Sequence, residues 1–265
     1  MARAVGDLLA EFDAELEDEV NIPPSWNVAP TDDVPIVLER LIDDGTRLDD
    51  GTGLDDGTGL DHNTGRRQVR QLHVARWGLV PSWAKDPGIG SRMINARSES
   101  VLEKPAFRKA VQSRRCAVPA DGYYEWKQGP GKSKQPYYVH PGEGRGLAFA
   151  GLYEWWRDPS VPAGEPGQWL LSTSILTTDT PPPGSESTVF GKLTALHDRV
   201  PLPMDKATMQ AWLDPDADDA AGLVDLVRSG VKDVAADWQV ESVGKEVGNV
   251  RNNGPDLIRP VAALF

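Results

Sequence analysis

Between residues 68 and 198, six runs rich in β-branched and aromatic residues follow one another, at about 68–80, 115–127, 136–140, 147–157, 169–178 and 191–198. Gly or Pro bounds them, and no regular helix alternates with them, which argues against a doubly wound parallel sheet. An earlier run, Val34-Pro35-Ile36-Val37-Leu38-Glu39, predicts a strand at about 34–41, its proline suiting a strand's beginning or an edge. Apolar residues recur at helical spacing in Val5, Leu8, Leu9, Phe12 and Leu16, and again at about 103–112, 205–213 and 218–229. A closing strand is expected near 237–243. The pattern points to an α+β fold: one domain over 1–265, built on a curved antiparallel β-sheet or barrel with peripheral helices.

One segment cannot belong to that core. Residues 43–65 repeat the unit Leu-Asp-Asp-Gly-Thr-Gly from Leu48 and Leu54 and decay at Leu60-Asp61-His62-Asn63. So short an acidic, glycine-rich repeat buries nothing, and it is expected to be a flexible loop inserted between two strands. A calcium loop is the sharper alternative, since closely spaced carboxylates suit a hard cation, but the spacing matches neither an EF-hand nor a nine-residue β-roll repeat.

The net charge of −12 taken alone argues against nucleic acid, yet its distribution reverses that inference. Residues 1–20 carry seven acids and one base, and Asp43 to Asp61 carries seven Asp against Arg47. From His62 to Lys134 there are fifteen Lys and Arg against five Asp and Glu. The middle of this acidic chain is basic. No stretch approaches the roughly 20 apolar residues of a membrane span, and the acidic start is unlike a secretory signal, so no membrane association is expected and a cytoplasmic, nucleoid-associated location is. Cys116 is the single cysteine, which excludes an internal disulfide and any cysteine cluster. His62, His73, His140 and His197 show no ligand spacing, so neither a metal nor another cofactor is expected.

Four strings are polar or aromatic where a bland core strand would not be: Trp77-Gly78-Leu79-Val80-Pro81-Ser82-Trp83, Asn95-Ala96-Arg97-Ser98-Glu99, the run from Arg115-Cys116 through Asp121-Gly122-Tyr123-Tyr124-Glu125-Trp126, and Leu193-Thr194-Ala195-Leu196-His197-Asp198-Arg199-Val200-Pro201. Glu125 lies between two aromatics, where partial desolvation would raise a carboxylate's pKa toward values useful in proton transfer. Trp77 and Trp83 beside arginines suit base stacking, or equally a core. Asn95 equally suits a turn, and a lone histidine such as His197 is more often structural.

With Asn27-Val28-Ala29-Pro30-Thr31 and the closing stretch from Asn249 to Pro260, these strings resemble the SOS response-associated peptidase (SRAP) family, the abasic site processing proteins, in order and over nearly the whole chain. The acidic repeat has no family counterpart, and Val200 stands where a methionine is usual. The resemblance implies binding of single-stranded DNA containing abasic sites, by a monomer. A cysteine exposed by removal of Met1 would attack the ring-opened sugar aldehyde through its α-amine and close a thiazolidine crosslink through its thiol. Self-processing peptidase and lyase activities would accompany this. The resemblance further implies that Glu125 acts as acid/base, that His197 is a second proton-transfer group and that Asn95 orients the amine. Arg97 would contact phosphate, with Arg76, Arg92, Arg114, Arg115 and Arg199 along the strand's path.

The chain departs from the family at one decisive place. It begins Met1-Ala2-Arg3, where the family has Met followed by Cys-Gly-Arg. A start assigned six or seven codons late would account for this, since the first helix begins at once. Otherwise Ala2 occupies the nucleophile's position; its small side chain permits removal of Met1, and its amine could form a reversible imine but no thiazolidine. Two alternatives remain: a noncatalytic single-stranded DNA-binding or damage-sensing module, and a thiol peptidase pairing Cys116 with His197. Strand alternation opposes the second, because Cys116-Ala117-Val118 reads as a buried core segment.

Overall fold

A computed structural model describes residues 2–16, 20–43, 60–61, 66–142, 145–182 and 188–263. Most of the acidic insert at 43–65 lies outside the described residues. Val5–Phe12 forms helix α1, which buries Leu8 and Phe12 against the core as their spacing predicts. Strand β1 (Asp33–Asp43), the short β2 (Leu60–Asp61) and β3 (Arg66–Trp77) follow. β1 and β3 pair antiparallel from Asp33–Arg76 to Asp43–Arg66, so the two strands flanking the insert are direct neighbours. The remaining elements are β4 (Asn95–Arg97), α2 (Ala110–Ser113), β5 (Arg115–Ala120), β6 (Tyr123–Gln128), β7 (Lys134–His140), β8 (Leu147–Arg157), β9 (Trp169–Asp179), α3 (Thr188–Leu196), β10 (Arg199–Pro201), α4 (Lys206–Leu213), α5 (Ala220–Val234) and β11 (Gln239–Ser242).

Strands β9, β8, β5, β1 and β3 are successive antiparallel neighbours, and the end of β3 returns to β9 through parallel pairs Arg76–Ser172 and Trp77–Thr173. Five strands thereby close into a barrel. β4 also lies parallel on β9, and β10 pairs antiparallel with its end, so the sheet is not purely antiparallel. A second sheet, β6-β7-β11, stands against the barrel. Tyr123 joins the two, edge-on to Phe149 of β8 and to Trp238, with centroids 6.0 Å apart in each case.

The core is continuous from α1 through the barrel to α4 and α5. Trp212 is wholly buried there and its indole donates to Cys116 O at 3.0 Å. Asn27 ties the early loop to the C-terminal one, its Nδ2 lying 3.1 Å from each of the carbonyls of Val247, Asn249 and Asn252. That triple contact explains why the Asn27 and Asn249 strings occur together.

Several boundaries differ from the sequence reading. The run at 191–198 is not a strand: Thr188–Leu196 is helical, with Val189, Phe190 and Leu193 buried on one face. The helix expected at 103–112 shrinks to Ala110–Ser113, because Pro105 interrupts it and turns take its place. The run at 115–127 splits at Asp121-Gly122, and that at 68–80 stops at Trp77. β4 and β10, three residues each, have no alternating run long enough to mark them.

Candidate active site

The junction between β5 and β6 builds one wall of a cavity of about 630 Å³. A Cβ on Gly122 would lie 2.6 Å from both the Tyr138 ring and Val139 O, so glycine alone lets β7 pass this close while β6 leaves the barrel. Glu125, two residues into β6, lines the cavity half-buried. Burial raises its pKa, and the nearby Asp198 charge adds to the rise, while protonated His197 and the Trp126 amide oppose it.

Further lining comes from β9 and the strands that lie on it. β4 sets Asn95 beside Ile175 and Arg97 beside Thr177, and both side chains line the cavity. Neither makes a side-chain hydrogen bond or ion pair among the described residues, and both are exposed. Trp77 lines the cavity too, its indole fixed by donation to Ile94 O at 3.0 Å. His197 follows α3 directly. Its amide donates to Leu193 O at 3.0 Å, and its Nδ1 accepts the Arg199 amide at 2.9 Å. Asp198 Oδ1 also lies 3.0 Å from Nδ1, which would favour a proton there. Asp198 is almost wholly exposed and so competes with water, whereas the Arg199 amide is fixed by strand pairing; Nδ1 is therefore the acceptor, and a neutral ring carries its proton on Nε2.

Ala2, near the start of the chain, also lines the cavity. The Ala2 nitrogen donates to Asp121 Oδ2 at 2.6 Å, and Arg3 Nε to Asp121 Oδ1 at 2.7 Å. Arg3 also pairs with Glu11 of α1, which fixes the first residues to the barrel. One cavity thus gathers the Ala2 nitrogen, a carboxylate, an imidazole, an amide and the Arg97 guanidinium.

The SOS response associated peptidase (SRAP) profile matches residues 1–250. This chain belongs to the SRAP family. It is 34% identical to the abasic site processing protein YoqW of Bacillus subtilis, over 95% of this chain and 96% of that one. It is 32% identical to the abasic site processing protein HMCES of Gallus gallus, over 72% of this chain and 58% of that one. A crystal structure of a Bordetella bronchiseptica protein shares the fold, with TM-score 0.61 at 20% identity over 92% of this chain and 97% of that one.

Of the residues the SRAP resemblance singles out, Ala2, Asn95, Glu125, His197, Trp77, Arg97 and Arg199 line the cavity. Others do not. Arg115 is 4% exposed and its guanidinium donates to the carbonyls of Trp212, Val111, Gln112, Asp214 and Ala217, so it joins β5 to the helices and is not available to phosphate. Arg114, just before β5, pairs with Glu154 at 2.9 Å and does not line the cavity. Arg76 is half-buried in β3, and Arg92 and the 58% exposed Trp83 lie outside the cavity lining. Arg199 reaches the cavity but is committed: it meets Glu99 Oε2 at 2.8 Å, Asp179 Oδ1 at 2.6 Å, and both Thr177 oxygens. Cys116 is buried in the barrel wall, 3.5 Å from Thr173 Oγ1, its thiol pushed up to about 12 by burial, and it does not line the cavity. That placement removes the thiol peptidase alternative. Asp121 and Glu99 received no role from the sequence, although each stands in a recognised string.

Proposed function

We propose that this SRAP-family chain processes abasic sites in single-stranded DNA through the amine at position 2. The printed names of its relatives support the reaction class. The observation that carries the reading is the Ala2 nitrogen on Asp121, inside the cavity that also holds Glu125, His197 and Asn95.

Removal of Met1 makes that nitrogen a primary amine, whose ordinary pKa of about 7.7–8.0 leaves an appreciable neutral fraction at neutral pH. Its lone pair attacks the aldehyde carbon of the open sugar. Glu125, with its raised pKa, protonates the departing oxygen so that water leaves and an imine forms. His197, near enough to Glu125 to act on its charge, takes and returns protons during the step. Arg97, exposed and unpaired among the described residues, meets phosphate, and Trp77 supplies a face for a base.

Ala2 carries no thiol, so the imine it forms is reversible, and elimination at the 3′ side converts it to a strand break. A cysteine there would add its S–H across the imine and close the thiazolidine. The test is an oligonucleotide with one abasic site, incubated with the native chain and with Ala2→Cys. Strand cleavage by the first and a heat-stable crosslink by the second are expected; binding without either product would instead identify a noncatalytic DNA-binding module.

A further inference from the structure

We propose that Glu99 is a positioning residue for His197, acting through Arg199, an assignment that rests on the abasic-site reading above. His197 stands at the turn between α3 and β10, with its side chain 48% exposed. A ring so open to water holds one orientation only if its neighbours impose it, and the Arg199 amide on Nδ1 does so. That amide is no firmer than its strand. β10 is three residues long, and beyond its terminal pair, Arg199–Asp179, the backbone is held by Thr180, whose amide donates to Asp198 O at 2.7 Å and whose Oγ1 donates to His197 O at 3.0 Å.

The Arg199 side chain adds a second anchor to this short strand. Its Nη2 meets Glu99 Oε2 and Thr177 O, both at 2.8 Å, its Nε meets Thr177 Oγ1 at 3.1 Å, and its Nη1 meets Asp179 Oδ1 at 2.6 Å. The two carboxylates are not equivalent. Asp179 is 79% exposed, so solvent screens its pairing. Glu99 is 32% exposed, and its other oxygen accepts from Thr178 Oγ1 at 3.0 Å and the Asp179 amide at 3.2 Å. Burial works against ionisation of Glu99, but the bonds from Arg199, its own backbone and Thr178 hold its pKa down to about 2, so the clamp is charged at every working pH.

Glu99 also closes the string that begins at Asn95, and Arg199 stands in the one that holds His197. Their ion pair fastens the two strings together and keeps Asn95 and His197 on one cavity wall. With four of its five N–H groups engaged, Arg199 acts as a brace.

The test uses Glu99→Gln in the full chain. Long-range proton–nitrogen spectra of the His197 ring at pH 8 should show the Nε2-protonated form in the native protein and a mixture in the variant. The single-turnover rate on an abasic oligonucleotide should fall about tenfold, while affinity for undamaged single strands stays within twofold or tightens as Arg199 is freed. Asp179→Asn should leave the ring spectrum unchanged. An unchanged His197 spectrum in Glu99→Gln overturns the assignment, as does a loss of DNA affinity equal to the loss of rate. If Glu99→Gln does not fold, Thr178→Val, which removes one bond to Glu99, should move the ring spectrum in the same direction, and an unmoved spectrum overturns the proposal. A native chain without cleavage activity, but with a spectrum that responds to Glu99→Gln, would refute the abasic-site reading and leave the positioning intact.

Discussion

Asp121 spans Ala2 and Arg3, one carboxylate oxygen on the Ala2 nitrogen and the other on the Arg3 guanidinium. Because a hydrogen bond to a charged group contributes about 1.5–3 kcal/mol, this pair fixes where the amine sits. Asp121→Ala should therefore slow adduct formation on an abasic oligonucleotide by about tenfold or more in single-turnover kinetics. Affinity for the same DNA should be unchanged, because Asp121 offers nothing to phosphate.

Glu125 is held where burial disfavours its charge. Its folded-state pKa is raised, so the folded state binds the proton more tightly than the unfolded chain does. The ionised carboxylate consequently costs stability, a cost absent below the unfolded pKa and fully present once the pH has passed the folded pKa. Glu125→Gln should melt at a higher temperature than the native protein at pH 7–8, and the difference should shrink on acidification. The same variant should lose about 10²- to 10⁴-fold in rate, the usual contribution of a general acid or base. A variant that is both more stable and inactive would mark a functional carboxylate; one that is less stable at pH 7 would contradict the assignment.

Cys116 is inert in this account. Its thiol is buried and its pKa is pushed up to about 12, so alkylating reagents at pH 8 should label it only after denaturation. Cys116→Ala should cost about 1–2 kcal/mol in chemical denaturation, for the volume removed from a packed wall, and leave abasic-site processing intact.

Arg97 and Arg115 should behave oppositely although both were read from the sequence as DNA contacts. Arg97→Ala should weaken binding to single strands irrespective of their sequence and reduce the salt slope by about 0.7, the value for one lost phosphate contact. Arg115→Ala leaves five carbonyl partners without their donor and should destabilise the fold by about 3 kcal/mol or more, seen in the denaturation midpoint. Its salt slope should match the native value.

The barrel was legible because its strands carry their own signature: residues 34–41 and 147–157 read as strands and are β1 and β8. The candidate site was legible as strings, since Asn95, Glu125 and His197, which line one cavity, each stand in polar or aromatic settings that a plain core would not use. Two kinds of information were hidden. The helix at Thr188–Leu196 was read as a strand because its apolar residues are few and partly β-branched, and tertiary burial decided the matter. The partners of the arginines were invisible altogether. Arg115 and Arg97 look alike in sequence, but one faces five backbone carbonyls from chain positions up to 102 residues away and the other faces the cavity. Glu99 and Asp121 were missed for the same reason, as each acts on a residue about 100 positions away or more.

The account depends most on the chemical identity of the attacking atom. Trapping the native chain on an abasic oligonucleotide with borohydride, which reduces an imine to a stable secondary amine, followed by mass spectrometry of the digested adduct, should place the DNA on the nitrogen of Ala2. An adduct on a lysine side chain, or none at all, would contradict it.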